Sequence, residues 1–279
     1  MTTRVQAPRR PSALSRAEAL VAEEQFFERL RARLNALQGI FNPLEGRMYD
    51  ASARHRTTRT LEDRAAEVKA AIKRLAERDL MKVYEEMPKG VVETTGISHK
   101  ELLGPRSVKV VVAGASFSPA DDLIREGRSG RAIGAEELAR LRDRIVTHPG
   151  VFHYIGAFAT TSWDPGCRAV LTGPNYLVAL VDRVESAWRT FYSPDTRWRG
   201  AARVFDITSE EEKIEAVQRL VRRRPFALLM DEMTEDYVFE ELGYPIPIIR
   251  EAFERVASED RFVRFDTGTR PYRLVRVYG

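Results

Sequence analysis

Cysteine is nearly absent from this chain of 279 residues, which contains only Cys167. A single thiol excludes an intrachain disulfide framework and is typical of a reducing compartment, so we expect a cytoplasmic protein. Long apolar runs are also missing: no stretch approaches the roughly 18 apolar residues that a membrane helix requires, and we expect no membrane partner. Residues 1–11 carry three arginines but no apolar segment, which predicts a disordered basic arm over residues 1–14 and not a signal peptide.

Motifs for metal, cofactor or nucleophile chemistry are lacking as well. The four histidines show no ligand spacing with each other or with Cys167. Cys167 follows a glycine at a turn, where an inert thiol is commoner than a nucleophile. The glycines of residues 125–131 lack the Gly-Lys-Ser/Thr ending of a phosphate loop, which favours a surface loop. We therefore expect no catalytic residue, no metal and no cofactor.

Lysine is scarce, with seven residues against 38 arginines, while the formal net charge is +4 and the pI is about 9.2. The planar fork of arginine suits phosphate groups and ion-pair networks. The 41 acidic residues indicate that many of these arginines form ion pairs within the protein. The length suits two compact domains.

A helical segment is predicted over residues 15–60. Ser15 and Glu18 form a capping-box pattern, and the helix that follows is predicted to run to about Gln38. Its heptad-spaced apolar residues are Leu20, Phe27 and Leu34. Two interpretations remain open, a seam between subunits and packing against the same domain. The loop that follows holds a second basic patch of Arg54, His55, Arg56 and Arg59.

Residues 61–200 alternate between helical and strand patterns, which predicts a central α/β domain. The predicted elements are a helix Leu61–Arg78, strands Leu80–Glu85, Val91–Thr95 and Val108–Ala113, an irregular segment Gly114–Gly134, a helix Ala135–Thr147, a strand Phe152–Thr160, a short helix Asp164–Leu171, and strands Tyr176–Asp182 and Trp188–Tyr192. The strand Val108–Ala113 is apolar throughout, which predicts a central position in its sheet.

This element order resembles the restriction-endonuclease-like core, and Ile155–Ser162 followed by Leu180–Asp182 is similar to a segment of type IV restriction endonucleases. The resemblance implies an acidic residue on the second strand and an acidic-x-Lys on the third, which together hold a divalent cation. Here the second strand offers only Glu93, and the third has Lys109 at its start and no acid. We therefore expect an inactive copy retained for binding. A rearranged site of Glu93 and Lys109 is the alternative, against an ordinary ion pair.

Residues 205–279 show three helical patterns followed by a hairpin. The predicted elements are a helix opened by Thr208 or Ser209 and ending at Arg222–Arg224, a strand Phe226–Met230, a helix Glu235–Leu242 between Thr234 and Gly243, a helix Pro247–Ser258, and a hairpin of Arg261–Asp266 and Tyr272–Val277. This order resembles the winged-helix form of the helix-turn-helix.

The winged-helix resemblance implies nucleic-acid contact through the third helix and the hairpin. Candidate contacts are Arg250 and Arg255 on the helix, Arg261, Arg264, Arg270 and Arg273 on the hairpin, and Arg197, Trp198 and Arg199 in the loop before this segment. The outward face of the third helix carries charges of both signs, so protein contact or dimerisation remains open.

The sequence thus predicts an α/β (α+β) protein with a helical N-terminal segment, a central sheet domain and a C-terminal winged helix. Our first hypothesis is a non-catalytic DNA-binding protein. The alternatives are a protein-interaction subunit of a larger assembly, including a homo-oligomer, and a metal-dependent nuclease of a defence or recombination system.

Overall fold

The computed structural model of the protein describes residues 13–51, 56–62, 70, 73, 80–100, 105–184, 187–193, 202–223 and 232–277. The chain divides into two compact units, Met1–Arg183 with Tyr192–Asp206 and Val184–Phe191 with Ile207–Gly279. Several predicted features lie outside the described residues: residues 1–12 of the basic arm, most of the helix Leu61–Arg78, the strand Phe226–Met230, and the side chains of Arg54, His55, Arg56, Arg59, Arg197, Trp198 and Arg199. Of the arm predicted over residues 1–14, Leu14 lies in strand β1.

Helices and strands alternate in both units, which confirms the mixed α/β class. The helices are α1 (Arg16–Ala36), α2 (Leu80–Glu86), α3 (Ala120–Glu126), α4 (Ala135–Ile145), α5 (Glu210–Arg223), α6 (Glu235–Leu242) and α7 (Ile246–Glu259), with 3-10 turns at Pro165–Val170 and Ala202–Phe205. The strands are β1 (Leu14–Ser15), β2 (Gly39–Asn42), β3 (Arg47–Asp50), β4 (Arg56–Glu62), β5 (Val92–Lys100), β6 (Arg106–Phe117), β7 (Arg128–Ser129), β8 (Phe152–Ala159), β9 (Thr172–Gly173), β10 (Tyr176–Val184), β11 (Ala187–Phe191), β12 (Glu232–Thr234), β13 (Val263–Asp266) and β14 (Arg273–Arg276).

The first unit is built on a mixed sheet with strand order β10-β8-β6-β5-β4, and β9 pairs with β10. The strands β6, β8 and β10 are parallel, whereas β5 pairs antiparallel with both β6 and β4. All eight residues of β8 are buried, as expected for a strand covered on both faces. The predicted central position of the apolar strand is confirmed, since β6 lies between β5 and β8.

Helix α1 covers one face of this sheet. Ser15 and Glu18 form the predicted capping box, and Phe26 stacks on Phe158 of β8 with ring centroids 5.1 Å apart. Phe27 and Leu34 are 4% and 6% exposed within the unit. Two of the three heptad-spaced residues, Phe27 and Leu34, are therefore buried and not available to a second subunit, whereas Leu20 is half-buried.

Three predicted elements of the first unit are wrong. The loop predicted from Gly39 to Arg59 contains the strands β2 and β3 and the start of β4. The strand Leu80–Glu85 is the helix α2, whose Val83 packs with Ala19, Leu123 and Ile124, as does Met87 directly after the helix end. Leu61 and Glu62, predicted to open a helix, instead end strand β4, which supplies the antiparallel partner of β5.

The segment Gly114–Gly134, predicted to be irregular, is mostly regular. Strand β6 continues to Phe117, and α3 follows with Asp121 and Asp122 in its first turn, where the helix dipole favours them. Gly127 ends α3 with a φ of 72°, a left-handed conformation that favours glycine. Apart from these corrections, the predicted strands and helices from Ala135 to Phe191 are confirmed within a few residues.

The second unit contains β11, the helices α5, α6 and α7, and an antiparallel sheet with strand order β12-β14-β13. The predicted caps are confirmed: Ser209 and Glu212 form a capping box, Thr234 accepts from the Tyr237 N–H, and Gly243 has a φ of 69°. The predicted α7 stripe of Ile249, Ala252, Phe253 and Val256 is buried in the core of this unit.

Candidate functional site

The central sheet does not bring Glu93 and Lys109 together. Glu93 lies opposite Gly114, where its carboxylate accepts from the Arg31 guanidinium with an Nε–Oε2 distance of 3.0 Å. Lys109 lies at a β-bulge nearer the start of β6, and its Nζ is 3.3 Å from an oxygen of Glu45. Among the described residues, no group of three or more His, Cys, Asp or Glu side chains is placed to hold a metal ion.

Cys167 is fully buried in the 3-10 turn Pro165–Val170, and its thiol donates to the Ile133 carbonyl at 3.4 Å. Burial, followed by the nearby Asp164 carboxylate, raises the pKa of this thiol above its ordinary value. A buried thiol with a raised pKa is a poor nucleophile, which agrees with the interpretation of Cys167 as a structural residue.

The two candidate arginines of α7 form ion pairs with carboxylates of their own unit. Arg250 makes a bidentate contact with Glu235, with nitrogen–oxygen distances of 2.6 and 3.1 Å, and lies over the Tyr272 ring at 4.4 Å. Arg255 contacts Glu211 of α5 at 2.6 Å and Glu251 at 2.8 Å. These contacts connect α7 to α5, to α6 and to the hairpin.

On the hairpin, Arg273 is likewise paired. Its guanidinium lies 3.2 Å from Asp266 on β13 and 2.7 Å from Glu232 on β12, and it also donates to Thr269 at 3.0 Å. Arg273 therefore joins all three strands of the small sheet. The sequence pattern did not reveal this role, because Glu232 lies 41 residues away along the chain.

The outward side of β13 and β14, here called the hairpin face, consists of Phe262, Arg264, Asp266, Arg273, Val275 and Val277. Successive strand residues alternate between faces, and the inward residues Val263 and Leu274 are buried in the core of the unit. Arg264 is exposed on this face, and the exposed Arg261 and Arg270 lie at the start and the turn of the hairpin. Together with the hydrogen bonds from Arg250, Arg270 helps to lower the pKa of Glu235 on α6, and its guanidinium lies 5.7 Å from the Tyr272 ring centroid. The hairpin thus presents three exposed cations.

One exposed aromatic residue of this face was not singled out from the sequence as a candidate contact. Phe262 is 53% exposed, and the Arg261 guanidinium lies 4.7 Å from its ring centroid. The alternation of Phe262, Val263, Arg264 and Phe265 carries a signal, since it places Phe262 and Arg264 on the same side of the strand. Val263 and Phe265 pack against the core of the unit, so the side that holds Phe262 and Arg264 faces outward.

No known protein family, curated protein or solved structure matches this chain. No helix in the described parts of the chain is long and apolar enough to cross a membrane. The function must therefore be argued from the side chains themselves.

Charge is unevenly distributed over the second unit. Residues 207–279 carry twelve Lys or Arg side chains and fifteen Asp or Glu side chains, so the segment as a whole is not basic. The exposed residues of α7 include Glu251 and Glu254, whereas the exposed arginines Arg261, Arg264 and Arg270 cluster on the hairpin. Among the exposed residues, the hairpin therefore carries arginines where α7 carries glutamates.

The Glu235 contacts give this unit a specific response to acid. Hydrogen bonds from Arg250 hold the pKa of Glu235 below its ordinary 4.5, so the folded protein keeps this carboxylate ionised at pH values where the unfolded chain protonates it. Its stabilising contribution is present above pH 4.5 and is lost as the pH falls through the lower, folded pKa. We expect the melting temperature to fall as the pH drops below about 4.5, and to fall less steeply in Glu235→Gln.

Calorimetry across this pH range measures the effect. Glu240→Gln, at an exposed position on the same helix, is the matched control and should retain the wild-type slope. Equal slopes for Glu235→Gln and Glu240→Gln would contradict the assignment.

Proposed function

We propose that the second unit is a winged helix that binds nucleic acid through its hairpin, and that the protein acts by binding and not by catalysis. The observation that carries this proposal is the cluster of three exposed arginines, Arg261, Arg264 and Arg270, on a hairpin whose Asp266 is already engaged by Arg273. Guanidinium groups at the tip and edge of a β-ribbon are suited to phosphate oxygens.

The order of elements in this unit supports the winged-helix assignment. A helix, a short strand, two helices and a two-stranded hairpin follow one another as α5, β12, α6, α7, β13 and β14. The first of these strands pairs with the last, which gives the sheet order β12-β14-β13 and places the hairpin turn at residues 267–272. In this arrangement α7 stands where the recognition helix of a helix-turn-helix lies.

The charges of α7 favour the hairpin over that helix as the contact. Glu251 and Glu254 are exposed on α7, and acidic side chains repel the phosphates that line a DNA groove. Arg250 and Arg255 are held by carboxylates, so we assign them a role in the fold of the unit. The proposed binding surface is accordingly reduced to Arg261, Arg264 and Arg270.

A salt titration with a matched pair of triple variants tests the proposal. Replacing Arg261, Arg264 and Arg270 by Ala should weaken binding to any sequence and flatten the dependence of log K on log salt by about 2 to 3 units, because each lost phosphate contact removes about 0.9. The control variant replaces three exposed arginines of the first unit by Ala, namely Arg47, Arg125 and Arg140. It removes the same charge and should leave the slope near wild type. Equal effects of the two triple variants, or binding that does not respond to salt, would contradict the proposal.

A second candidate function is a protein-interaction subunit of a larger assembly. The acidic exposed face of α7 favours it, because Glu251 and Glu254 suit a basic protein partner better than a polyanion. Purified protein that carries no nucleic acid, and a light-scattering mass above that of the monomer, would support this candidate over the first.

A further inference from the structure

The exposure of Phe262 requires an explanation that the fold of the unit does not provide. Its side chain is 53% exposed, and its cross-strand neighbour Val277, whose N–H donates to the Phe262 carbonyl at 2.9 Å, is 43% exposed. The other aromatic residue of this strand, Phe265, packs inward against Phe253 and Tyr272. The hairpin therefore buries one phenyl ring and presents the other to the solvent.

Cations flank the exposed ring. The Arg261 guanidinium lies 4.7 Å from the ring centroid, and Arg264, two residues along the strand, is exposed on the same face. An exposed ring with one guanidinium group beside it and a second exposed arginine on the same face offers a surface for stacking and donors for anions. A ligand with a planar, uncharged group attached to a chain of phosphates is complementary to this surface.

Only an unpaired base has a free face to offer such a ring. In a duplex each base is stacked between its neighbours, so Phe262 would gain only contact with the sugar–phosphate backbone. Stacking of bases on aromatic side chains, combined with cations that track the backbone, is the general mode of single-strand binding. The acidic residues Glu251 and Glu254 on α7 also disfavour insertion of that helix into a duplex groove.

We propose that the hairpin face binds single-stranded nucleic acid, with Phe262 stacked on an unpaired base and Arg261 and Arg264 holding the flanking phosphates. This inference rests on the proposed function, because it specifies the nucleic acid that the same arginines bind. Stacking is tolerant of base identity, so affinity should depend little on sequence.

Fluorescence anisotropy with labelled oligonucleotides of about ten nucleotides tests the proposal, using a thymidine DNA strand, a uridine RNA strand and a DNA duplex of equal length. We expect the full-length protein to bind the single strands about tenfold more tightly than the duplex, and Phe262→Ala to weaken single-strand binding about tenfold without changing duplex binding. The two single strands distinguish DNA from RNA. Phe262→Tyr, which keeps the aromatic face, should bind like wild type.

Phe239→Ala is the matched control, because Phe239 is a 48% exposed phenylalanine on α6 of the same unit. It should bind all three probes like wild type, and the melting temperatures of both alanine variants report whether the fold is kept. Duplex binding as tight as single-strand binding, together with an unchanged Phe262→Ala, would overturn this inference and leave the proposed function standing. Absence of binding to every probe would overturn both this inference and the proposed function.

Discussion

Gly156→Ala should lower the free energy of unfolding by about 2 to 3 kcal/mol. A Cβ atom on Gly156 of β8 would lie 2.6 Å from Cε1 and 2.7 Å from Cδ1 of Phe205, closer than carbon atoms approach in folded proteins. Neither side can yield easily, because Phe205 is fully buried and β8 is hydrogen-bonded to β6 on one side and to β10 on the other.

Urea unfolding of the variant beside Gly134→Ala measures the effect. Gly134 precedes α4 with an ordinary φ of −86°, and no atom lies within 4 Å of a Cβ built there. Gly134 is the N-cap of α4, where alanine is less favourable than glycine, so the control should lose about 0.5 to 1 kcal/mol, less than Gly156→Ala. If the two variants are equally stable, the result contradicts the close packing of Phe205 against Gly156 of β8. A Phe205→Leu change in the Gly156→Ala background should recover part of the loss if that contact is its cause.

Glu23→Ala should have a comparable effect and lower the free energy of unfolding by about 3 kcal/mol, because it leaves several buried donors without an acceptor. The Glu23 side chain is 3% exposed on α1, and its carboxylate accepts from the backbone N–H groups of Lys89 and Gly90, each at 2.8 Å, and from the Ser116 hydroxyl. One carboxylate thereby ties α1 to β6 and to the loop before β5.

Glu24→Ala is the control for this variant, since Glu24 is the next residue of the same helix and is exposed. It should unfold like wild type in the same denaturant series. Glu23→Gln should fall between the two, because the amide keeps one acceptor oxygen but turns an N–H group toward donors. A Glu23→Ala protein as stable as the Glu24→Ala control would show that the loop at Lys89 and Gly90 finds other acceptors.

Short-range patterns in the sequence were sufficient to predict many of the helix ends and buried strands. The capping boxes at Ser15 and Ser209, the Thr234 cap and the Gly243 stop act over three or four residues, and the chain order alone reveals them. The fully apolar strands were equally clear, because burial on both faces leaves an uninterrupted run of the kind seen in β8.

The errors arose where tertiary contacts override a local pattern. Leu80–Glu85 is short and rich in apolar residues and was predicted to be a strand, yet it is a helix whose Val83 packs with Leu123 and Ile124 of α3, about 40 residues away in sequence. The segment Gly114–Gly134 was predicted to be irregular because Pro119 and four glycines suggested turns. Gly114 is instead a strand residue that leaves room for α1, since a Cβ there would lie 2.3 Å from Leu30 Cδ2.

The candidate site was predictable in composition but not in the division of roles among its arginines. The six candidate arginines of α7 and the hairpin look alike in the sequence. Arg255 meets Glu211 across 44 residues and Arg250 meets Glu235 across 15, and such pairings depend on the assembled unit. Arg273 is paired in the same way, and Arg261, Arg264 and Arg270 are the candidates that stay exposed.

The position of α1 on the sheet has a consequence for synthesis of the protein. Its stacking partner Phe158 and the Arg183 that donates to Gln25 are synthesised more than 130 residues after the α1 residues that they contact. On the ribosome, the apolar stripe of α1 therefore leaves the exit tunnel before these partners exist, and its contacts with β8 and β10 form only after β10 is complete.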